Sequence, residues 1–223
     1  MRHFIEDLDH LRDRLLEMSG LVEDSVYRAI RSLVEKDEDQ AQQVLQNEGK
    51  INRMEIEIDE FATSLLATQQ PMATDLRFIT AAIKINHDLE RMGDIAVNIA
   101  ERSLFLIHQP HMKSMVDIPH MADLVQSMIR KSLDAFVRRD AEMARSVLIS
   151  DDAVDAMRDS AYEELIDGME QEPKAVRQGV NLMFIARSLE RLGDHATNIA
   201  EDVLYLVEGV EVRHHSEARQ EIP

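Results

Sequence analysis

The chain has 223 residues, 44% hydrophobic and 30% charged, a composition typical of a folded globular protein with a sizeable core. Its 25 basic and 43 acidic residues give a formal net charge of −18, which disfavours electrostatic binding to nucleic acid or to an anionic membrane. The absence of cysteine excludes disulfides, thiolate zinc sites, iron–sulfur clusters and cysteine nucleophiles.

The chain begins with the acidic segment MRHFIEDLDH, which lacks the apolar core of a signal peptide. Its apolar runs are all shorter than the roughly 18 residues needed to cross a bilayer. We therefore expect a cytoplasmic protein that meets membrane complexes only through its partners.

The pattern of residue types predicts an all-α protein. Glycine (seven), proline (five) and aromatic residues (4%) are scarce, whereas Leu, Met, Ala and Glu, which favour helices, are abundant. In the first helix Leu8, Leu11 and Leu15 begin an apolar stripe with the three-to-four spacing of a buried helix face. With breaks near Asp37, Pro71, Asp140 and Pro173, the predicted helices are 3–36, 38–69, 72–107, 119–138, 140–171 and 174–208.

The chain contains an internal repeat. The segments LERMGDIAVNIAE at 89–101 and LERLGDHATNIAE at 189–201 are identical at ten of thirteen positions. Upstream, Asp37, Ala41 and Val44 match Asp140, Ala144 and Val147, again about one hundred positions later. We therefore predict two tandem, pseudo-symmetric three-helix bundles, 1–109 and 119–210, joined by a linker at 110–118 and followed by a polar tail at 211–223.

The repeated segment places oxygen-bearing side chains on one helix face. At 100° per residue, one arc of about 80° holds Glu90, Asp94, Asn98 and Glu101, and its repeat holds Glu190, Asp194, Asn198 and Glu201. The preceding helix of each unit carries a similar stripe, formed by Glu48, Asn52, Glu55 and Asp59 in the first and by Asp151, Asp155 and Asp159 in the second. If neighbouring helices present these stripes on a shared side, four or more carboxylates converge.

Converging carboxylates predict a metal site, because like charges one helical turn apart cost about 0.2–0.5 kcal/mol per pair and a multivalent cation reverses the sign. Oxygen ligands suit hard or borderline ions. The predicted occupant is a divalent or multinuclear metal such as iron, zinc, magnesium, manganese or calcium. The predicted ligands are Glu55, Asp59, Glu90, Asp94, Asn98, Asp155, Asp159, Glu190, Asp194 and Asn198.

Other interpretations of these residues remain open. The stripes can be a solvated surface, and Asn98 and Asn198 can hydrogen-bond a neighbouring helix instead of a metal. Gly93 and Gly193 fit close helix approach as well as metal access, and His195 is interpreted as structural because its counterpart is Ile95.

The sequence resembles the PhoU family, the phosphate-signalling regulators of bacteria, over nearly its whole length. The resemblance depends on QQPMATDLR at 69–77 and on the doubled LER(M/L)GD motif at 89–94 and 189–194. It implies two tandem three-helix bundles whose E(D)xxxD motifs hold multinuclear metal clusters. Here those motifs are Glu55/Asp59, Glu90/Asp94, Asp155/Asp159 and Glu190/Asp194.

The resemblance also implies a role: a non-enzymatic adaptor between the high-affinity phosphate ABC transporter and a membrane sensor histidine kinase. Such an adaptor represses the phosphate-starvation response when phosphate is in excess. The implied partners are the transporter's ATPase subunit, the kinase and a second copy of the chain, as a homodimer or a larger homo-oligomer. Neither nucleic acid nor direct membrane insertion is expected.

The two units also differ. The segment Asn86-His87-Asp88 offers an additional ligand that Ala186-Arg187-Ser188 lacks, and the second stripe fits the motif register only with a short gap. The two metal sites are therefore expected to differ in occupancy or nuclearity.

Three other functions compete with this role. A ferritin-like di-iron oxidase needs ExxH pairs inside a helical core, but the only such pair is Glu211/His214 in the tail. A plain helical scaffold predicts no metal, and an adaptor of another pathway is the third alternative.

Overall fold

The computed structural model describes residues 2–109 and 117–209, which form six long helices. They are α1 (Arg2–Glu35), α2 (Glu38–Gln69), α3 (Thr74–Ile107), α4 (Ile118–Arg138), α5 (Ala141–Gln171) and α6 (Val176–Glu208), with a short 3₁₀ turn at Pro173–Ala175 before α6. This confirms the all-α prediction, and the predicted helix ends are correct to within about two residues. The predicted tail, 211–223, lies outside the described residues, as does most of the predicted linker.

The start of α2 and α5 is fixed by side-chain caps. Asp37 accepts hydrogen bonds from the backbone amides of Asp39 (2.9 Å) and Gln40 (3.2 Å), and Asp140 accepts one from Met143 (3.0 Å). These bonds satisfy amides that have no partner inside the helix.

α3 begins two positions later than predicted, at Thr74 and not at residue 72. Gln70 and Ala73 take positive φ angles of 48° and 47°, so the chain turns after Pro71 before the helix begins at Thr74. The amide of Asp75 bonds to the carbonyl of Met72 (3.1 Å) and closes that turn.

The helices form two mutually packed sets of three, α1–α3 and α4–α6, and α3 packs along α6. α3 and α6 each bury fifteen residues, against seven in α2 and five in α5, so they are the central pair. The buried apolar residues of both sets form one continuous core. The domain boundaries therefore stay a prediction, although the tandem three-helix architecture is confirmed.

The central pair runs antiparallel. From one end to the other, Lys84 bonds to Asp202 (3.1 Å), Asp88 to His195 (2.7 Å) and Arg102 to Asn181 (3.1 Å). This pairing leaves the outer faces of α3 and α6 to contact α2 and α5, where the acidic stripes lie. Along the described ranges, none of the helices is both long and apolar enough to cross a membrane.

Candidate metal centre

The first acidic cluster lies where α2 crosses α3. The two helices approach closely at Gly93, where a Cβ would lie only 3.2 Å from Cγ2 of Ile51. One turn further along α2 and two turns back along α3, the buried amide of Asn86 donates a hydrogen bond to the backbone carbonyl of Glu55 (2.9 Å). These contacts fix the two helices in the register that sets Glu55 beside Glu90.

Glu90 has a raised pKa and a buried carboxylate oxygen. Burial raises the pKa of Glu90 first, and the charges of Asp94 and Glu55 raise it further, while Arg91 and His87 partly oppose them. The Glu90 side chain is 19% exposed, and its Oε2 atom is buried and accepts no hydrogen bond. The nearest cation, Nε of Arg91, lies 3.5 Å from that oxygen on a side chain that is 48% exposed. Glu90 is therefore a desolvated carboxylate with little compensation.

The other predicted ligands of the first repeat border this cluster. Asp59 lies one turn beyond Glu55 on α2 and is half-buried. Asn98 is exposed, and its amide donates to the carbonyl of Asp94 one turn back on α3 (2.9 Å). The structure thus brings Glu55, Glu90 and Asp94 together.

The second cluster contains a cation from the protein itself. The guanidinium of Arg158 on α5 bonds to Glu190 on α6, and it also bonds to Asp155 (3.1 Å) and Asp159 (3.0 Å) on its own helix. Arg158 is 22% exposed and Glu190 17% exposed, so this ion pair between helices is half-buried. Three of the predicted ligands thus share one guanidinium.

Asp194 lies at the edge of the second cluster. Partial burial raises the pKa of Asp194 first, and the charges of Glu190 and Asp155 raise it further, whereas His195 and Arg158 lower it. Asp194 therefore belongs electrostatically to the second cluster, although it is more exposed than Glu190.

The structure shows which positions of the two bundles correspond. Buried Ala41, Val44 and Ile51 of α2 lie 103 positions before buried Ala144, Val147 and Val154 of α5. The contact of Gly93 with Ile51 is repeated by Gly193 with Val154, although the glycines are 100 positions apart.

This register decides which polar residues are equivalent. Arg158 occupies the place of Glu55, while Asp155 corresponds to Asn52 and Asp159 to the exposed Ile56. The sequence-level pairing of Glu55/Asp59 with Asp155/Asp159 therefore joins residues at different places in their bundles. Their role as ligands stays a prediction.

Asn198 points away from the acidic stripe. Its amide donates to Oδ1 of Asp88 on α3 (3.2 Å), the same oxygen that lies 2.7 Å from Nδ1 of His195. Of the two roles left open for Asn198, the structure shows the hydrogen bond to a neighbouring helix. Both side chains tie α6 to α3, in keeping with a structural interpretation of His195.

Within the two described ranges, no three acidic or histidine side chains already surround one point at metal-binding distances. The residue that sequence reasoning missed is Arg158. The signal was present, because the match of Asp37 with Asp140 already implied an offset of 103, which places Arg158 opposite Glu55.

Comparisons with known proteins identify the family. The sequence profile of the PhoU domain matches residues 15–103 and 118–203. The phosphate-specific transport system accessory protein PhoU homolog of Pseudomonas aeruginosa is 42% identical over 214 residues, 96% of this chain and 88% of that protein. The homolog of Rhizobium meliloti is 36% identical over 212 residues, 95% of this chain and 90% of its own.

Solved structures agree. The crystal structure of PhoU from Pseudomonas aeruginosa superposes with a TM-score of 0.90 at 42% identity, covering 93% of this chain and all of that one. The phosphate transport system regulatory protein PhoU from Streptococcus pneumoniae gives a TM-score of 0.86 at 30% identity, covering 94% and 99%. The matched sequence, the duplicated motif and the shared fold together show that this chain belongs to the PhoU family.

Proposed function

We propose that this chain is a regulatory accessory protein of phosphate transport. The observation that carries the proposal is the match along nearly the whole chain, in both repeats, to relatives named as accessory or regulatory proteins of phosphate transport systems. A match this complete involves both bundles and the interface between them, so it supports a shared role of the whole protein.

The finer proposal is a non-enzymatic adaptor. It couples the ATPase subunit of a high-affinity phosphate ABC transporter to a sensor histidine kinase and represses the phosphate-starvation response. The net charge of −18 supports contact with basic partner surfaces, because complementary charge steers association. Binding to either partner should therefore weaken as the salt concentration rises from low to physiological.

A cell-based experiment tests this role. In a strain lacking the gene for this chain, a phosphate-starvation reporter should be active in phosphate-rich medium, and expression of the chain should silence it. Purified ATPase subunit and kinase domain are then each titrated against the immobilised chain at two salt concentrations. A silent reporter in the deletion strain, or no binding to either partner, would contradict the adaptor role and favour the scaffold alternative.

We further propose that a divalent or multinuclear metal binds at the first cluster. Glu55, Glu90 and Asp94 would hold it, and the buried, unbonded Oε2 of Glu90 supports this assignment. The metal would neutralise carboxylates that now repel one another, so it would lock α2 against α3. Iron, zinc, manganese and magnesium are the ions that such an oxygen set suits.

Metal analysis of tag-free protein and thermal melts after chelation and re-addition test the metal proposal. Metal at 100 times its dissociation constant should stabilise the fold by about 2.7 kcal/mol. The double variant Glu90→Gln/Asp94→Asn should lose this shift. The control variant Glu60→Gln, which changes an exposed glutamate on α2, should keep it. An equal shift in both variants would place the metal elsewhere.

The homo-oligomer is also part of the proposal. Light scattering coupled to size-exclusion chromatography should give twice the monomer mass of 25.5 kDa, or a higher multiple.

A further inference from the structure

The two bundles put opposite charges at the same place. In the register set by the buried residues of α2 and α5, Glu55 of the first bundle corresponds to Arg158 of the second. On the neighbouring central helices the counterparts are alike, since Glu90 corresponds to Glu190 and Arg91 to Arg191. The charge that faces these two glutamates from the neighbouring helix therefore differs because of α2 and α5.

The exchange of Glu55 for Arg158 reverses the sign of the charge next to the glutamate of the central helix. Next to Glu55, Glu90 keeps a buried oxygen without a hydrogen bond, and the repulsion from neighbouring acids adds to the effect of its burial. Next to Arg158, Glu190 accepts a charge-assisted hydrogen bond from the guanidinium. Such bonds are roughly twice as strong as those between neutral groups.

The guanidinium is also held from its own helix. Asp155 and Asp159 accept its other N–H groups at 3.1 and 3.0 Å, so its planar fork is engaged on α5 as well as on α6. A metal ion entering this cluster would compete with a permanently charged group for the same carboxylate oxygens. It would also have to expel that group or accept like-charge repulsion at short range.

We propose that Arg158 is a built-in counter-cation that closes the second acidic cluster to metal, so that this chain holds metal through its first repeat alone. The inference deepens the proposed metal function and rests on it for the first repeat. It replaces the expectation of two metal sites by one metal site and one internal ion-pair site. The second repeat then stays cross-linked between α5 and α6 whether or not metal is present.

The test counts Mn²⁺ bound per chain, by equilibrium dialysis with detection of free Mn²⁺ by electron paramagnetic resonance. Arg158→Met removes the counter-cation, and Arg158→Gln does so while keeping a polar side chain in case the first variant folds poorly. Arg191→Met is the matched control, because it removes an exposed arginine next to the same Glu190. Circular dichroism of the chelated proteins confirms that each variant is folded.

The expected result is that Mn²⁺ bound per chain roughly doubles in the Arg158 variants and is unchanged in Arg191→Met. Adding Glu190→Gln/Asp194→Asn to Arg158→Met should abolish the gain, and the same pair in the wild-type background should leave Mn²⁺ binding intact. No gain in either Arg158 variant overturns the inference, whatever the wild type binds. So does loss of wild-type binding on Glu190→Gln/Asp194→Asn.

The two proposals fail in distinguishable ways. If the wild type binds no Mn²⁺ but the Arg158 variants bind it through Glu190 and Asp194, the first-repeat metal site is wrong and the role of Arg158 stands. If the wild type binds through Glu90 and Asp94 and the Arg158 variants bind no more, the metal site stands and the role of Arg158 is wrong.

Discussion

Two glycines of α6 should respond differently to the same substitution. Gly179 in the first turn of α6 and Gly193 in its interior are both buried, and replacing glycine by alanine within a helix gains up to about 1 kcal/mol of helix propensity. What differs is the space that the new methyl group enters. At Gly193 its nearest neighbours would be Cγ1 of Val154 at 3.6 Å and Cε of Met128 at 3.7 Å, which is ordinary van der Waals contact.

At Gly179 the methyl group would lie 2.6 Å from both Cγ and Sδ of Met169. The middle atoms of that half-buried side chain must shift, and overpacking of this kind costs about 1–3 kcal/mol. Set against the propensity gain, Gly179→Ala should be neutral to destabilising by about 2 kcal/mol, while Gly193→Ala should be stabilising by about 1 kcal/mol. For a chain of this size 1 kcal/mol corresponds to a melting-temperature shift of roughly 2–4 °C.

Thermal melts followed by circular dichroism, with chelator present so that metal plays no part, measure both variants. Gly93→Ala provides an intermediate case, because its methyl group would lie 3.2 Å from Ile51, and its melting temperature should fall between the other two. If Gly193→Ala melted at as low a temperature as Gly179→Ala, the conclusion that a methyl group fits at Gly193 would be wrong. The glycine would then serve something other than close packing, such as access to the neighbouring acidic cluster.

Three further predictions concern a cap, a titration and the core. Asp37→Ala removes the cap of α2 and should cost about 1 kcal/mol in the melts, whereas Asp37→Asn should cost clearly less. Burial and then the charge of Asp94 raise the pKa of Glu90, so its ionisation costs stability as the pH rises through that raised pKa. Glu90→Gln lacks this ionisation, so the gain in its melting temperature over the wild type should grow from about pH 4 to about pH 7. A gain that does not change with pH would contradict this. Leu189→Ala creates a cavity at a fully buried position and should cost about 2–5 kcal/mol of unfolding free energy by urea titration; a cost below 1 kcal/mol would contradict the packing.

The helices were predictable because their determinants are local. Apolar spacing marks each buried stripe, and Asp37 and Asp140 supply caps whose function depends only on the next three residues. The beginning of α3 was not predictable in the same way. A proline followed by helix-favouring residues suggests an immediate start, but the positive φ of Ala73 delays it, and alanine gives no sign of that conformation.

The candidate site was predictable within a helix but not between helices. Glu90 and Asp94 share a face because helical geometry fixes residues four apart. Which residue of α2 or α5 meets them depends on the connection between the helices. From Ile51 to Gly93 the chain is three residues longer than from Val154 to Gly193, and this difference brings Arg158, rather than Asp155, to the place of Glu55.

The same reasoning predicts the result of exchanging the two partners. Glu55→Arg places a guanidinium where the second bundle has Arg158, within reach of the buried Oε2 of Glu90. Relief of repulsion together with a charge-assisted hydrogen bond at a half-buried position should stabilise the chelated protein by about 1 kcal/mol, roughly 2–4 °C. Glu55→Gln relieves only the repulsion and should gain less, about 0.2–0.5 kcal/mol by analogy with like-charge pairs on one helix. The arginine variant should also lose the stabilisation by added Mn²⁺ that the wild type shows. A lower melting temperature for Glu55→Arg than for Glu55→Gln would mean that the two positions are not equivalent, because a guanidinium that cannot reach Glu90 gains nothing from its charge.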